Sequence, residues 1–508
     1  MTDDPEHPGF TALREWMAEL SDLRAIGGLL SWDRSTMMPR AGADARGHQA
    51  ATLEGIAHAK LTHPELGRML DALEPWAGDL DPDSDEARTV AVVRRDFEKA
   101  RRVPDALAAE MARAEATGEQ AWMAARAAGD FSLFRDALAR HVDLRHRYVA
   151  CFDDYEHPYD VLLDDYEQDL RLSELRPLFA ELREALVPLV AASGDHASNG
   201  NHVLRGSFPA SRQQQAIRGV LAVLGFDDRS WRLDPSEHPF AQAQSTQDVR
   251  ITTIYDEDDL SVALYSVLHE FGHGLYESQI APRHARSPLG ELASLGLHES
   301  QSRLWENLVG RSRPFCGWLA PRLRDAFPQA LPGLTPDALY RGVNAVEPSL
   351  IRIFADETTY NLHIVLRTEL EAGLIEGTLD VAALPEAWNE AMHRLLGVEV
   401  PDDAHGVLQD IHWAVGLFGY FPTYTIGNLM SAQLWERARL ELPDVDESLA
   451  SGEFGAMRAW LRENVHRHGR KYSPRELLRR VTGDELRVEP LVGYLGAKLA
   501  DVRALSTT

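Results

Sequence analysis

Between residues 248 and 280 the chain changes character three times, and the order of the changes leaves little local freedom. Asp248-Val249-Arg250-Ile251-Thr252-Thr253-Ile254-Tyr255 alternates and is rich in β-branched residues, which reads as a strand. Asp256-Glu257-Asp258-Asp259 follows, an acidic cluster suited to capping a helix and to facing the positive end of its dipole. Leu260 to Ile280 then reads as helix, with Leu264, Leu268 and Leu275 among its apolar positions. His269-Glu270-Phe271-Gly272-His273 falls inside it. Residues four apart on a helix share a face, so both imidazoles can reach one ion. Zinc takes neutral imidazole nitrogen at about 2.0–2.1 Å, and a reactive zinc site joins three protein ligands to one open position. Glu270 projects beside the histidines, where it can take a proton from water activated by the metal. The competing reading is a solvated helix face with ordinary surface charges, and the strand and cap upstream weigh against it.

A third ligand must come from elsewhere, and Glu277, Glu291 and Glu299 are the candidates. Glu277 lies one turn past His273, where the same helix carries it away from the ion. Glu299 stands in a second helical stretch running from Leu289 to Val309, and a helix packed across the first can deliver one carboxylate from the opposite side. That argument favours Glu299, although a carboxylate on a solvated helix face is an equal alternative at this point.

The rest of the chain reads mostly as helix. Leu13, Trp16, Leu20, Leu23 and Leu30 recur near a 3.6 period, as do Phe134, Leu138, Val142 and Val149 behind the expected cap Ser132. Prolines such as Pro39, Pro104 and Pro158 punctuate the periodic stretches. The polar run Ser193 to Gly200 is the expected long loop or lobe boundary. With 52 Lys and Arg against 79 Asp and Glu, the net charge of -27 argues against nucleic acid or an anionic membrane as partner. Cys151 and Cys316 are the only cysteines, which excludes a disulfide framework and a Cys-based metal site. The acidic N-terminus lacks an apolar leader and no apolar run reaches bilayer length, so a cytoplasmic protein is expected.

Further motifs stand in order along the chain: Asp248-Val249-Arg250-Ile251-Thr252, His269 to His273, His298-Glu299-Ser300-Gln301, and Ile351-Arg352-Ile353-Phe354-Ala355-Asp356. Gly406-Val407-Leu408-Gln409-Asp410-Ile411-His412-Trp413 and Gly419-Tyr420-Phe421-Pro422-Thr423-Tyr424 follow. Weaker ones are Ser31-Trp32-Asp33 with Met38-Pro39, and Leu162 to Glu167. Together they closely resemble the carboxypeptidase Taq family of metallocarboxypeptidases, over most of the chain. The resemblance selects Glu299 as third ligand. It implies a mostly α-helical, two-lobed shell around a long groove, with a small β-sheet near the metal helix. Residues 1–195 would form one side of the groove and 196–508 the metal-binding region of one continuous peptidase fold. The implied activity is removal of single residues from the free C-terminus of peptides, with broad tolerance. One zinc per chain, replaceable by cobalt, and a homodimer are also implied.

An enzyme of that kind must hold a terminal carboxylate as well as activate water. Arg352 is the expected carboxylate partner, because a guanidinium fork matches a carboxylate. The alternative for Arg352 is an ion pair with Asp356, one helical turn on. His412 and Tyr420 are weaker substrate contacts, and Tyr424 and His412 are the expected donors to the anionic intermediate. Arg250 is a substrate contact or, with Asp248, a brace for the metal helix. Asp410 orients a histidine or caps a turn, and Trp413 and Trp32 line the core or the groove wall.

Overall fold

Prolines open helices in this protein more than they break them. Pro8, Pro64, Pro158, Pro336 and Pro474 each occupy the first helical position, where a missing N–H costs nothing. Ser84, Asp259, Ser294, Ser312 and Thr335 cap helices by accepting a backbone N–H of the first turn. The structure, a computed structural model, describes residues 7–193 and 203–506. The expected boundary at 195/196, and residues 194–200 of the polar run, lie outside the described residues.

Helices α1 (Pro8–Thr36), α2 (Ala43–Leu61), α3 (Pro64–Gly78) and α4 (Asp85–Arg102) form an N-terminal unit. Helices α5 (Asp105–Ala128), α6 (Ser132–Val149), α7 (Pro158–Asp164), α8 (Leu172–Ser193) and α9 (Ala210–Leu224) lead to a sheet. Its strands β1 (Trp231–Pro235), β2 (Ala241–Ser245) and β3 (Asp248–Thr253) lie in the order β1-β3-β2, with β3 parallel to β1 and antiparallel to β2. Helices α10 (Leu260–Gln279) and α11 (Leu295–Arg303) follow, and α11 runs on into a π-helical turn, Leu304–Val309. Helices α12 (Arg313–Ala326), α13 (Pro336–Val343), α14 (Tyr360–Glu376), α15 (Leu384–Leu396) and α16 (Pro422–Glu441) come next. Helices α17 (Val445–Ser451), α18 (Gly455–Asn464), α19 (Pro474–Thr482) and α20 (Glu489–Ser506) complete the described chain. This is the mostly helical fold with a small sheet beside the histidine-bearing helix that the sequence led us to expect.

Two local expectations need correction. Ser132 is the first residue of α6 rather than its cap: the side chain of Asp130 accepts its N–H at 2.9 Å, and Phe131 N–H is held by Asp403. The second helical stretch begins at Leu295, not Leu289. Pro288–Gly290 makes a single 3-10 turn, the chain then extends, and Ser294 Oγ caps the new helix by accepting Leu297 N–H at 3.0 Å.

Helix α10 is the centre of the fold and is buried on nearly every side. Gly272, inside the histidine motif, sits where it crosses α11. A Cβ there would lie 2.3 Å from Gln301 O and 2.6 Å from Ser302 Cα, so the crossing tolerates only glycine. On α16, a Cβ on Gly427 would stand 2.7 Å from the Cβ and Cγ of Glu299. The two glycines let three backbones close around one carboxylate. Gly272→Ala should therefore separate α10 from α11, at a cost of about 1–3 kcal/mol in urea denaturation.

Apolar packing falls into two clusters. One, including Phe10, Leu13, Leu66, Leu70, Val93 and Phe97, belongs to α1–α4, and the other runs from Leu107 to Leu495. Ion pairs bridge the two. Arg95 and Lys99 both reach Asp164 at 2.7 Å, Asp96 takes Arg470 and Asp85 takes Lys471 at 2.6 Å each, and Arg88 takes Glu476 at 2.7 Å. Most are partly exposed and worth little singly. Asp164 differs, with its side chain only 4% exposed. Burial pushes its carboxyl up, but Lys99 and Arg95 overcome this and hold it at about 2, below the ordinary 3.8. A carboxylate depressed in the folded state contributes stability above its unfolded pKa. That contribution should therefore be present above about pH 4 and fade as pH falls towards 2. Asp164→Asn, which strands two cations, should cost about 3 kcal/mol at pH 7 and flatten this acid limb in denaturant titrations.

Candidate metal centre

Three ligand atoms converge on one point between α10 and α11. His269 Nε2 and His273 Nε2 lie 3.2 Å apart, and Glu299 Oε2 is 3.5 Å from the first and 3.4 Å from the second. Two imidazole nitrogens and a carboxylate oxygen so close together repel unless a cation or a proton lies among them, and this N, N, O set is one that zinc accepts. His269 Nδ1 is committed to Glu306 Oε2 at 2.9 Å, which turns the Nε2 lone pair towards the shared point. The His273 ring stacks on His298 at 4.0 Å, and burial with His298 alongside pushes its pKa down to about 3, the neutral form a ligand needs. The residues present fit a divalent metal.

The other two candidate glutamates are engaged elsewhere. Glu277 accepts from Ala243 N–H at 2.9 Å and meets His298 Nε2 at 3.1 Å, so it ties α10 to the edge of β2. Glu291 pairs with Arg24 and Arg470.

Charge around the point is balanced residue by residue. Glu299 Oε1 accepts from Arg303 Nε at 2.7 Å, and Arg303 Nη1 reaches Glu306 Oε2 at 3.2 Å. Burial pushes the Glu299 carboxyl up, yet Arg303 and His269 hold it well below the carboxylate range. Against the same burial, Arg303 and His269 hold Glu306 at about 2. At Glu270 the upward push of burial is opposed by His269 alone, and the carboxylates of Glu299, Glu306 and Glu277 add to it. Glu270 is buried, its Oε2 has no partner among the described residues, and burial pushes its carboxyl up to about 7. A carboxyl poised there can take up and release a proton near neutral pH.

A second polar cluster sits beyond Arg303, whose guanidinium stacks on the Tyr360 ring at 4.3 Å. Arg352 donates through Nη1 to Tyr360 OH at 2.9 Å and through Nε and Nη2 to Asp410 Oδ1 at 3.0 and 2.7 Å. Asp410 Oδ2 accepts from Arg367 Nε at 2.7 Å. The alternative pairing of Arg352 with Asp356 is not formed. The chain leaves helical conformation after Phe354, and Asp356 instead accepts the backbone N–H groups of Thr358 and Thr359. His412 Nε2 meets Tyr424 OH at 3.1 Å, and burial pushes this imidazole down to about 3, so it is neutral. The Tyr420 ring packs against Tyr424 at 5.5 Å and Tyr166 at 5.2 Å.

Arg250 stands apart from both clusters. It forks onto Asp248 with two bonds of 2.9 Å and stacks on Trp32 of α1 at 4.4 Å, while its register partner Arg232 lies over the same ring. Trp413 points into the core and donates to Glu371.

Sequence reasoning missed Arg303, Glu306, His298, Tyr360 and Arg367. Arg303 and Glu306 lie four and seven residues past Glu299 on one helix face, a spacing that could have revealed them. Arg367 is fully buried and carried no such signal.

A family model described as carboxypeptidase Taq (M32) metallopeptidase matches residues 12–499. Thermostable carboxypeptidase 1 of Thermus thermophilus is 42% identical over 500 residues, covering 96% of this chain and 98% of the relative. The protein of the same name from Pyrococcus furiosus is 37% identical over 492 residues, covering 96% and 98%. The crystal structure of the M32 carboxypeptidase of Deinococcus radiodurans superposes with a TM-score of 0.94 at 40% identity, covering 98% of this chain and 99% of that one.

Since Glu306 fixes the His269 ring, Glu306→Gln should weaken divalent-ion binding by about 10–100-fold while leaving the fold intact. Competition with a chromophoric chelator measures this.

Proposed function

The chain belongs to the carboxypeptidase Taq (M32) metallopeptidase family, and from that premise we propose that it removes single residues from the free C-terminus of peptides, with zinc as its metal and broad side-chain tolerance. The observation that carries the C-terminal preference is the charge of the second cluster. Arg352 and Arg367 share one carboxylate, Asp410, so the group keeps one positive charge in a buried place. Asp410 and Tyr360 use three of the five N–H groups of Arg352, which leaves the fork able to take a peptide carboxylate.

His269, His273 and Glu299 would hold the ion, which supplies Lewis acidity to a carbonyl and lowers the pKa of water. Glu270, poised near neutrality by burial, accepts a proton from the attacking water and returns it to the leaving amine. Tyr424 OH, oriented by neutral His412, donates to the carbonyl oxygen as it gains charge. Tyr420 lines the substrate side of Tyr424. For Arg250, the fork onto Asp248 and the stack on Trp32 support a brace between sheet and N-terminal helices over a substrate contact. By the resemblance, residues 1–195 would form one side of the groove, and the proposal extends to a cytoplasmic homodimer in which cobalt can replace zinc. Among the described residues, no helix is long and apolar enough to cross a membrane.

A peptide with a free C-terminus should be shortened one residue at a time in a chelator-sensitive reaction, while its C-terminal amide should resist. Efficient cleavage of the amide would sink the exopeptidase reading. Glu270→Gln should lower kcat by about 10²–10⁴-fold with ion content unchanged, as read by atomic absorption.

A further inference from the structure

We propose that Glu371, outside the active site, is a positioning residue that clamps both ends of segment 412–420 so that His412 and Tyr420 are presented towards the metal centre. The inference rests on the carboxypeptidase reading for its catalytic consequence and on geometry alone for the clamp. Glu371 lies on α14, fully buried, and its two oxygens gather three donors from two parts of the chain. Oε2 accepts from Trp413 Nε1 at 2.6 Å. Oε1 accepts from Tyr159 OH of α7 at 2.6 Å and from the Gly419 N–H. Trp413 follows His412 and Gly419 precedes Tyr420, so one carboxylate grips the segment immediately inside each functional side chain.

The segment needs such a grip because it has little regular structure of its own. A single 3-10 turn, His412–Val415, is followed by left-handed Gly416, with φ 71°, and Gly419, with φ 84°. Gly419 also presses on α7, where a Cβ would lie 2.3 Å from Leu162 O. What the clamp presents is a continuous aromatic face. The His412 ring lies 5.3 Å from Tyr420 and 4.4 Å from Phe421, and its Nε2 meets Tyr424 OH. Burial pushes the Glu371 carboxyl up to about 7, with Tyr159, Gly419 and Trp413 pulling against that shift. An amide cannot replace it cleanly, since three donors converge and one oxygen would become an NH₂ group.

The test compares wild type, Glu371→Gln, Glu371→Ala and Trp413→Phe by amide hydrogen exchange, bound-metal content and kinetics on a free-acid peptide. In Glu371→Gln, residues 412–420 should exchange about tenfold faster while residues 260–279 keep their protection. Metal content should hold, and kcat should fall about 10–100-fold with a smaller change in KM, because His412 acts through Tyr424 on the transition state. Trp413→Phe, which removes one donor and leaves the carboxylate, should move both readouts in the same direction by less. Glu371→Ala should exceed Glu371→Gln, so that the amide rescues part of the loss. Unchanged exchange at 412–420, or loss of protection spread equally over 260–279, would overturn the clamp. If Glu371→Ala fails to fold, the other two variants decide the matter. If wild type cleaves no peptide, the carboxypeptidase reading fails, and the exchange comparison still judges the clamp.

Discussion

Helices α10 and α11 meet backbone to backbone at Gly272, and the geometry of the centre depends on that contact. With any side chain there, Gln301 and Ser302 would be pushed outward and Glu299 would withdraw from the two histidines. Gly427 repeats the arrangement from α16, where a Cβ would press on the Cβ and Cγ of Glu299 itself. Close packing of this kind makes a ligand's position a consequence of backbone shape rather than of side-chain choice. The price is tolerance, because each of these glycines has one acceptable residue.

Burying so much charge is unfavourable unless every group is paired. Most of the buried charge here lies in two chains of alternating sign. Glu306, Arg303 and Glu299 form one, and Arg352, Asp410 and Arg367 form the other, with Tyr360 touching Arg303 of the first and Arg352 of the second. The first chain holds carboxylates ionised beside the ligand point. The second retains an uncompensated positive charge. Glu270 belongs to neither, and burial, reinforced by the neighbouring carboxylates of Glu299 and Glu306, pushes its carboxyl up to about 7. Opposite electrostatic characters thus arise within one buried region, where burial raises every carboxyl and the neighbouring charges decide which stay ionised.

A different economy operates between α1–α4 and the rest of the molecule. Two apolar clusters remain separate there, and the surfaces that meet are joined through ion pairs and arginine–aromatic stacks. Asp164 is the member of this set that is deeply buried, so it carries more of the attachment than its exposed neighbours. The Arg250 and Asp248 pair belongs to the same attachment through Trp32, although its motif had also suggested a substrate contact.

Local signals were enough for the strand, the acidic cap and the helix bearing His269, Glu270 and His273, because periodicity and capping act over a few residues. Alternation marked β3, Asp259 proved to be the cap, and the four-residue spacing put both imidazoles on one face. The same local rules misjudged Ser132 and the start of α11, where Asp130 and an extended break at 291–294 prevailed. Periodicity left the choice among Glu277, Glu291 and Glu299 open, because it does not say which helix crosses α10, and only the motif resemblance favoured Glu299. Pairings across long separations, such as Arg352 with Asp410 and Glu371 with Trp413 and Gly419, were likewise invisible, since no local pattern relates residues tens of positions apart. The sequence by itself determined the residue types and the metal-binding face. Only the tertiary structure decided where each of the three candidate carboxylates lies relative to that face and which charges remain unpaired, because both depend on distances that folding alone creates.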